Sequence, residues 1–344
     1  MNADLISSWR GFNLLNMFCS KESSVIRENV LSGFKEFDFK IIAELGFNFV
    51  RIPLSYRLWG DVDRPFYINY DRLAELDRAV EYAEKYNLHI NIAMHRGVGY
   101  CINKDEKIEE KLDLWSDDKA LDAFVHHWHA IAERYQNVSS DRLSFNIINE
   151  PDIVVNIADY TRVCNRVIED IVKISPQRYF VVDGLSWGEY PNVLMMTEEM
   201  PNCIHSTRAY GPESLTHYRF SKTFCTETPV WPGGYRIDGC GKRIEYNKEK
   251  FEQSMDMWKS ISEIYSANVM CGELGCANFT PHNVALAWLD DILTVLNEKK
   301  FGWAMWNLYG IFGIIDSERD DVVYEDFYGH KLDRKMLDIM QKHL

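Results

Sequence analysis

Two glutamates stand out because each closes a short apolar run. Glu150 lies in Asn149-Glu150-Pro151 behind Phe145-Asn146-Ile147-Ile148, and Glu273 lies in Gly272-Glu273-Leu274-Gly275. A lone glutamate in such a place is usually a salt-bridge or capping residue. Two of them facing each other across a cleft can hydrolyse a glycosidic bond. One must be protonated to assist the leaving oxygen, and the other ionised to attack the anomeric carbon. A separation near ~5 Å implies a retaining, double-displacement route. Other polar residues close further apolar runs: Arg51 in Arg51-Ile52-Pro53, His95 in Met94-His95-Arg96-Gly97, Arg208 and Tyr210 in Thr207-Arg208-Ala209-Tyr210, and Trp306 in Trp306-Asn307.

Some scaffold must bring these ends to one mouth. Apolar runs occur at 10–15, 47–54, 88–94, 142–148, 179–183, 202–207, 269–273 and 301–306. Many are almost continuously apolar, as parallel strands covered on both faces are. Amphipathic stretches at 70–86, 117–135, 158–174, 249–266, 281–299 and 331–342 separate or follow them and read as helices. Gly46 and Asn87 end helices just before strands. Eight strands alternating with helices predict a single (β/α)8 TIM barrel over 1–344, with polar strand ends gathered at its C-terminal face. An open doubly wound sheet is the alternative, but Gly11-Phe12-Asn13-Leu14 is not the Gly-rich phosphate turn expected of one.

With these residues in view, the chain resembles glycoside hydrolase family 5, within the clan of barrels whose two carboxylates follow strands four and seven. The resemblance runs from Arg10-Gly11-Phe12-Asn13 through Trp306 and rests on Asn149-Glu150-Pro151 and Glu273 in their places. It implies that Glu150 is the acid/base and Glu273 the nucleophile. Asn149 resembles the residue that binds the sugar 2-hydroxyl, and Arg51 the one that holds the nucleophile ionised. His95 resembles the histidine lining the −1 subsite, Tyr210 the tyrosine bonded to the nucleophile, and Trp306 the platform beneath the −1 sugar. No cofactor or metal is implied.

One position departs from the family pattern. A histidine commonly stands two residues before the tyrosine, where this chain has Arg208; His205 is out of register. A permanent cation beside Glu150 would weaken it as an acid. Arg208 is therefore expected at the cleft mouth, either neutralised by a carboxylate such as Glu213 or gripping substrate on the aglycone side. Arg96 either lines the cleft or forms a loop salt bridge.

Weaker signals each have two readings. The 211–247 connection carries Trp231 and Tyr235, which stack on sugar or pack the loop onto the barrel. Trp59, Trp115 and Trp187 follow strands two, three and five and are further cleft candidates. His126, His127 and His129 share a predicted helix; surface histidines explain them better than a metal site does. Strand alternation places Cys271 on the same side as Glu273, as an inert buried thiol.

The composition bounds the class. A net charge of −14 disfavours nucleic acid and anionic membrane. Eight cysteines without a CxxC pair, behind a start lacking a leader pattern, predict a cytoplasmic enzyme, or a secreted one if a leader was trimmed. The expected partner is a β-linked oligo- or polysaccharide. The function expected is a retaining β-glycosidase, cellulase-like on β-1,4-gluco- or manno-configured chains. The alternatives are an exo-acting β-glucosidase or β-mannosidase on imported oligosaccharides, a catalytically silent carbohydrate-binding barrel, and a metal-dependent barrel hydrolase. The last lacks a His/Asp ligand set at its strand ends.

Overall fold

Each helix–strand unit is punctuated by residues that only certain backbone conformations suit. Helix Glu75–Lys85 buries Leu76, Ala79, Val80 and Ala83 at 3–4 spacing. It stops at Asn87, whose φ of 58° turns the chain into the strand that begins at His89. Gly46 does the same at φ 94° after helix Glu36–Glu44. At the other ends, Asn156, Asn247 and Asp333 cap their helices by accepting a backbone N–H three residues on.

The computed structural model describes residues 3–19, 33–103, 108–197, 202–220, 227–237 and 242–344. Eight strands are joined by helices, except that between β5 and β6 the described residues form only short turns: β1 Arg10–Asn13, β2 Phe49–Ser55, β3 His89–Gly97, β4 Leu143–Asn146, β5 Tyr179–Asp183, β6 Cys203–Ala209, β7 Asn268–Leu274 and β8 Gly302–Met305. Each pairs in parallel with its neighbours, and β8 pairs with β1, so the sheet closes into a (β/α)8 barrel. The eight expected runs match these strands to within a few residues at either end. In the 211–247 connection, Tyr235–Ile237 and Arg243–Glu245 form a small hairpin.

Period-two alternation inside the strands builds the interior in layers. The bottom layer holds Phe49, Tyr179, Val181, Ile204, Met270 and Ala304, with Ile6 and Trp9 packed against it. Two residues further along, the inward positions turn polar: Arg51 follows Phe49, Asp183 follows Val181, and Ser206 then Arg208 follow Ile204. All are buried. The larger apolar core lies between strands and helices.

Strand β7 breaks this alternation. Its register against β6 runs Cys271↔Thr207 and then Glu273↔Arg208, so Gly272 is an extra residue, a β-bulge. Met270 faces the interior cluster and Cys271 the helix-covered core. The expectation that Cys271 and Glu273 share a side is therefore corrected. The bulge, not simple alternation, delivers Glu273 to the interior.

At the barrel's first seam β1 needs a glycine. A Cβ on Gly11 would lie 1.7 Å from the carbonyl oxygen of Phe49, its register partner on β2. The obstacle is the Phe49 backbone, which cannot swing aside as a flexible side chain can. Gly11→Ala is expected to cost about 3 kcal/mol or more, beyond the usual range for overpacking. A denaturant midpoint that stays at the wild-type value would contradict this packing.

Candidate active site

Glu273 is reached first by Arg51. The guanidinium Nη1 stands 2.6 Å from Glu273 Oε1, with both side chains almost fully buried. Arg51 uses all five of its donors. Nη1 also donates to Asn13 Oδ1 at 2.9 Å, Nη2 to Asn146 Oδ1 at 2.8 Å and Asn149 Oδ1 at 2.9 Å, and Nε to Asn146 Oδ1. Asn13 in turn donates to the carbonyls of Gly272 and Met305, pinning the bulge. Tyr210 Oη donates to Glu273 Oε2 at 3.0 Å. Both carboxylate oxygens are thus held in a fixed orientation.

Glu150 is held differently. Its backbone sits at φ 43°, a conformation that costs a non-glycine residue about 1 kcal/mol or more and must be enforced by its surroundings. The enforcing contacts are present: its N–H donates to Asp183 Oδ2 at 2.9 Å, and its carbonyl accepts from Tyr100 Oη at 2.6 Å. The side chain is 16% exposed, and Oε1 accepts from Arg208 Nε at 2.7 Å. Burial and the nearby charge of Glu273 push the Glu150 carboxyl up to about 7; Arg208 opposes the shift and Asp183 adds to it. A carboxyl group in that range is about half protonated at neutrality, whereas an ordinary glutamate is almost fully ionised there, so it can serve as a proton donor.

Arg208 lies between the carboxylates, not at the mouth. Its side chain is only 4% exposed. Nη2 pairs with Asp183, donates to Asn149 Oδ1 at 3.0 Å, and stands 3.3 Å from Glu273 Oε1. Nη1 donates to Ser206 Oγ and the Thr207 carbonyl. No donor is left over for a substrate. The expected neutralising partner, Glu213, lies instead in the field of Arg236 and Glu189. The correction has a simple cause: position 208 continues the inward stripe of Ile204 and Ser206.

His95 and Trp306 stack with ring centroids 5.7 Å apart, and Phe18 packs edge-on to both. His95 Nε2 is 2.6 Å from Asn103 Oδ1. Burial, then Arg96 and Arg51, hold its imidazole well below the usual range, so it is neutral. Arg96 does not line the cleft. It donates to the Phe18 carbonyl and lies 4.2 Å over the Phe18 ring. Asn149 keeps its Nδ2 without a hydrogen-bond partner among the described residues.

The structure does not bring Trp231 into this network. Its Nε1 donates to Asp291 on the outer helix His282–Glu298, the loop-packing alternative. Arg243 covers the Tyr235 ring at 3.7 Å. Trp59 is buried, donating to His127 Nδ1, while His127 Nε2 meets the Pro65 carbonyl. His127 is thus a core histidine and not a surface one. His129 pairs with Asp170. Trp115 packs against Tyr100 and Tyr160. Trp187 is about half exposed and donates its backbone N–H to the carbonyl of Pro151, beside Glu150.

The profile of cellulases, glycosyl hydrolase family 5, matches residues 30–310. The chain belongs to glycoside hydrolase family 5. It is 24% identical to endoglucanase C of Acetivibrio thermocellus over 93% of this chain and 97% of that protein. It is 26% identical to cellodextrinase A of Ruminococcus flavefaciens over 79% of this chain and 77% of the relative. A crystal structure of a glycoside hydrolase superposes with a TM-score of 0.86 at 32% identity, covering 98% of this chain and 99% of that one. Family membership makes this a cellulase-like hydrolase of O-glycosyl bonds.

Within that family site, four supporting residues escaped the sequence reading: Asn13, Tyr100, Asn146 and Asp183. Asp183 had a signal, being an acidic residue that closes an apolar strand in phase with Val181. Asn13 and Asn146 are likewise polar residues at inward strand ends. Tyr100 acts from the short segment that turns back to pair antiparallel with the end of β3, and carried none. Because Glu273 raises the Glu150 carboxyl, removing that charge must lower it. In ¹³C-glutamate-labelled protein, Glu150 is expected to titrate near 7, and at clearly lower pH in Glu273→Gln. A midpoint that is the same in both proteins would show that the two carboxyl groups do not interact.

Proposed function

We propose that the chain is a retaining β-glycosidase in which Glu150 is the acid/base and Glu273 the nucleophile. The observation that carries the reading is the opposed environment of the two carboxyl groups. Glu273 receives Arg51 and Tyr210 on its two oxygens, while Glu150 is pushed toward the protonated form. One guanidinium, Arg208, reaches both, which favours the short separation of a double displacement over the wider gap an inverting enzyme keeps for water.

In the first step Glu273 attacks the anomeric carbon as Glu150 gives its proton to the departing oxygen. In the second, the Glu150 carboxylate takes a proton from water, and that water displaces Glu273 from the same carbon. Asn149 Nδ2, unpartnered among the described residues, is placed to donate to a sugar hydroxyl, and the His95–Trp306 stack supplies a wall for the ring. The substrate class we propose is β-1,4-linked gluco- or manno-configured chains. An endoglucanase of Thermotoga maritima, alike in fold at a TM-score of about 0.75 and 18% identity, has been solved with cellobiose and with mannotriose. Exo action on short oligosaccharides is the second reading, favoured by the similarity to a cellodextrinase.

A reducing compartment suits the chain, since Cys164, Cys203, Cys271 and Cys276 are buried thiols. Cys225 and Cys240 lie outside the described residues. Ordered disulfides in the native protein, detected by mass after alkylation without reductant, would overturn that placement.

Glu273→Ala is expected to reduce every substrate to background. Glu150→Ala should lose about 10²- to 10⁴-fold on oligosaccharides but far less in the first step on activated aryl glycosides, which need little protonation. Proton NMR of early product should show the β-anomer first. Equal losses on both substrate types would remove Glu150 from its role, and an α-anomer first would end the double displacement.

A further inference from the structure

An arginine beside the proton donor of a glycosidase is a problem the rest of this site must solve. Any fixed positive charge favours the ionised carboxylate, and burial strengthens the effect. The charges around Arg208 come from several elements. Glu150 approaches from the loop after β4, Asp183 from the end of β5, Glu273 from β7 and Arg51 from β2. Tyr210 follows β6. Tyr160 approaches on helix Ile157–Ile174, bonded to the Asp183 carbonyl. Cys271 lies behind β7, and His95 is uncharged. The permanent cations are Arg51 and Arg208, and the carboxyl groups are Glu150, Asp183 and Glu273.

Asp183 is fully buried and fully used. Oδ1 accepts from Asn146 Nδ2 at 3.1 Å. Oδ2 accepts from both the Glu150 backbone N–H at 2.9 Å and Arg208 Nη2. One oxygen therefore ties the acid's backbone to the arginine. Arg51 serves Glu273, while Arg208 is shared between Asp183 and Glu150, so the three carboxyl groups have two cations between them. A poorly solvated cluster of two cations and three carboxyl groups is neutral when one carboxyl group keeps its proton. Meanwhile Arg208 Nε–H occupies Glu150 Oε1, which leaves Oε2 as the oxygen that carries and delivers that proton.

Space for the arginine is provided on both sides. A Cβ on Gly272 would stand 2.9 Å from Arg208 Nη1 and 2.5 Å from Ser206 Oγ. A Cβ on Gly188, which has a φ of +84°, would stand 2.7 Å from Arg208 Cγ.

We propose that Asp183 is a positioning residue paired with Arg208, neutralising the guanidinium so that it can clamp Glu150 Oε1 without taking the proton from Oε2. This rests on Glu150 being the acid/base and names the two residues that replace the family's usual histidine arrangement. The pair acts as a unit, so deleting one charge is harmful and deleting both is less so.

The experiment is a pH profile of kcat/KM on an oligosaccharide and on an activated aryl glycoside. It compares wild type, Asp183→Asn, Arg208→Gln and the double variant. Asp183→Asn is expected to move the alkaline limb down by about one pH unit or more. Its loss should be about tenfold or more greater on the oligosaccharide than on the aryl glycoside. Arg208→Gln is expected to move the limb upward. The double variant should return it toward the wild-type position, and Asp183→Glu should recover part of the loss.

A limb that stays fixed in Asp183→Asn, with a double variant no better than either single one, would overturn the proposal and leave Asp183 a packing residue. If Asp183→Asn does not fold, Arg208→Gln and the double variant carry the same test: an unmoved limb in the former, or no return in the latter, overturns it. Failure of the underlying reading shows separately, as a Glu150→Ala protein that loses both substrates equally.

Discussion

The buried Arg51–Glu273 pair is the interaction on which the rest of the mouth depends. Taking two charges out of water costs several kcal/mol per ion, and only dense hydrogen bonding repays it. Arg51 meets that condition by bonding to side chains from β1, β4, β7 and the loop after β4. Each partner then has a second bond to hold it: Asn13 to the bulge and to β8, Asn146 to Asp183 and the Val181 carbonyl, Asn149 to Arg208. One guanidinium thus ties half the barrel's strands at the end that carries both glutamates. Such a network tolerates little change, because a lost partner leaves a buried charge or amide unsatisfied.

The barrel divides its labour along its axis. Below, Phe49, Val181, Ile204, Met270 and Ala304 fill the interior with apolar volume, closed by Trp9, which stacks on Phe49 at 4.9 Å. Above, the same strands present Arg51, Asp183, Ser206, Arg208 and Glu273. The change comes within two or three residues on each strand. Burial of the lower layer supplies stability that the upper layer, with its desolvated charges and the left-handed backbone at Glu150, does not provide for itself.

This division explains what the sequence revealed and what it concealed. Strand order, barrel class and the ends carrying Arg51, His95, Glu150, Arg208, Tyr210 and Glu273 were legible because period-two alternation and apolar runs are local signals. Gly46 and Asn87 were legible as helix stops because a positive φ has few occupants. The partner of Arg208 was not legible. Glu213, five residues away in sequence, is remote in hydrogen bonding, whereas Asp183, twenty-five residues earlier, is adjacent across the β5–β6 seam. Trp59, Trp231 and His127 misled for the same reason. An aromatic or imidazole after a strand faces the cleft or the outer packing according to contacts with distant helices, which periodicity does not encode. Gly272, like the polar strand ends at Asn13, Asn146 and Asp183, was an overlooked local signal, since a glycine inside a strand marks a bulge.

The bulge also shows why Arg208 and Glu273 can coexist. In a regular strand β7 the inward position after Met270 would be residue 272, facing Ser206 and Arg208. A side chain there would collide with both. Glycine at 272 leaves that volume to the guanidinium, and the extra residue carries the next side chain, Glu273, inward one step higher, level with Arg208 in the register. The arginine thus lies under the gap between the two glutamates, within reach of both and shielded from the cleft. A histidine, shorter and with at most two N–H donors, could not bond to Glu150, Asp183, Asn149 and Ser206 together. The substitution at position 208 therefore makes sense only with Gly272, Gly188 and Asp183 in place, and these four positions behave as one structural unit.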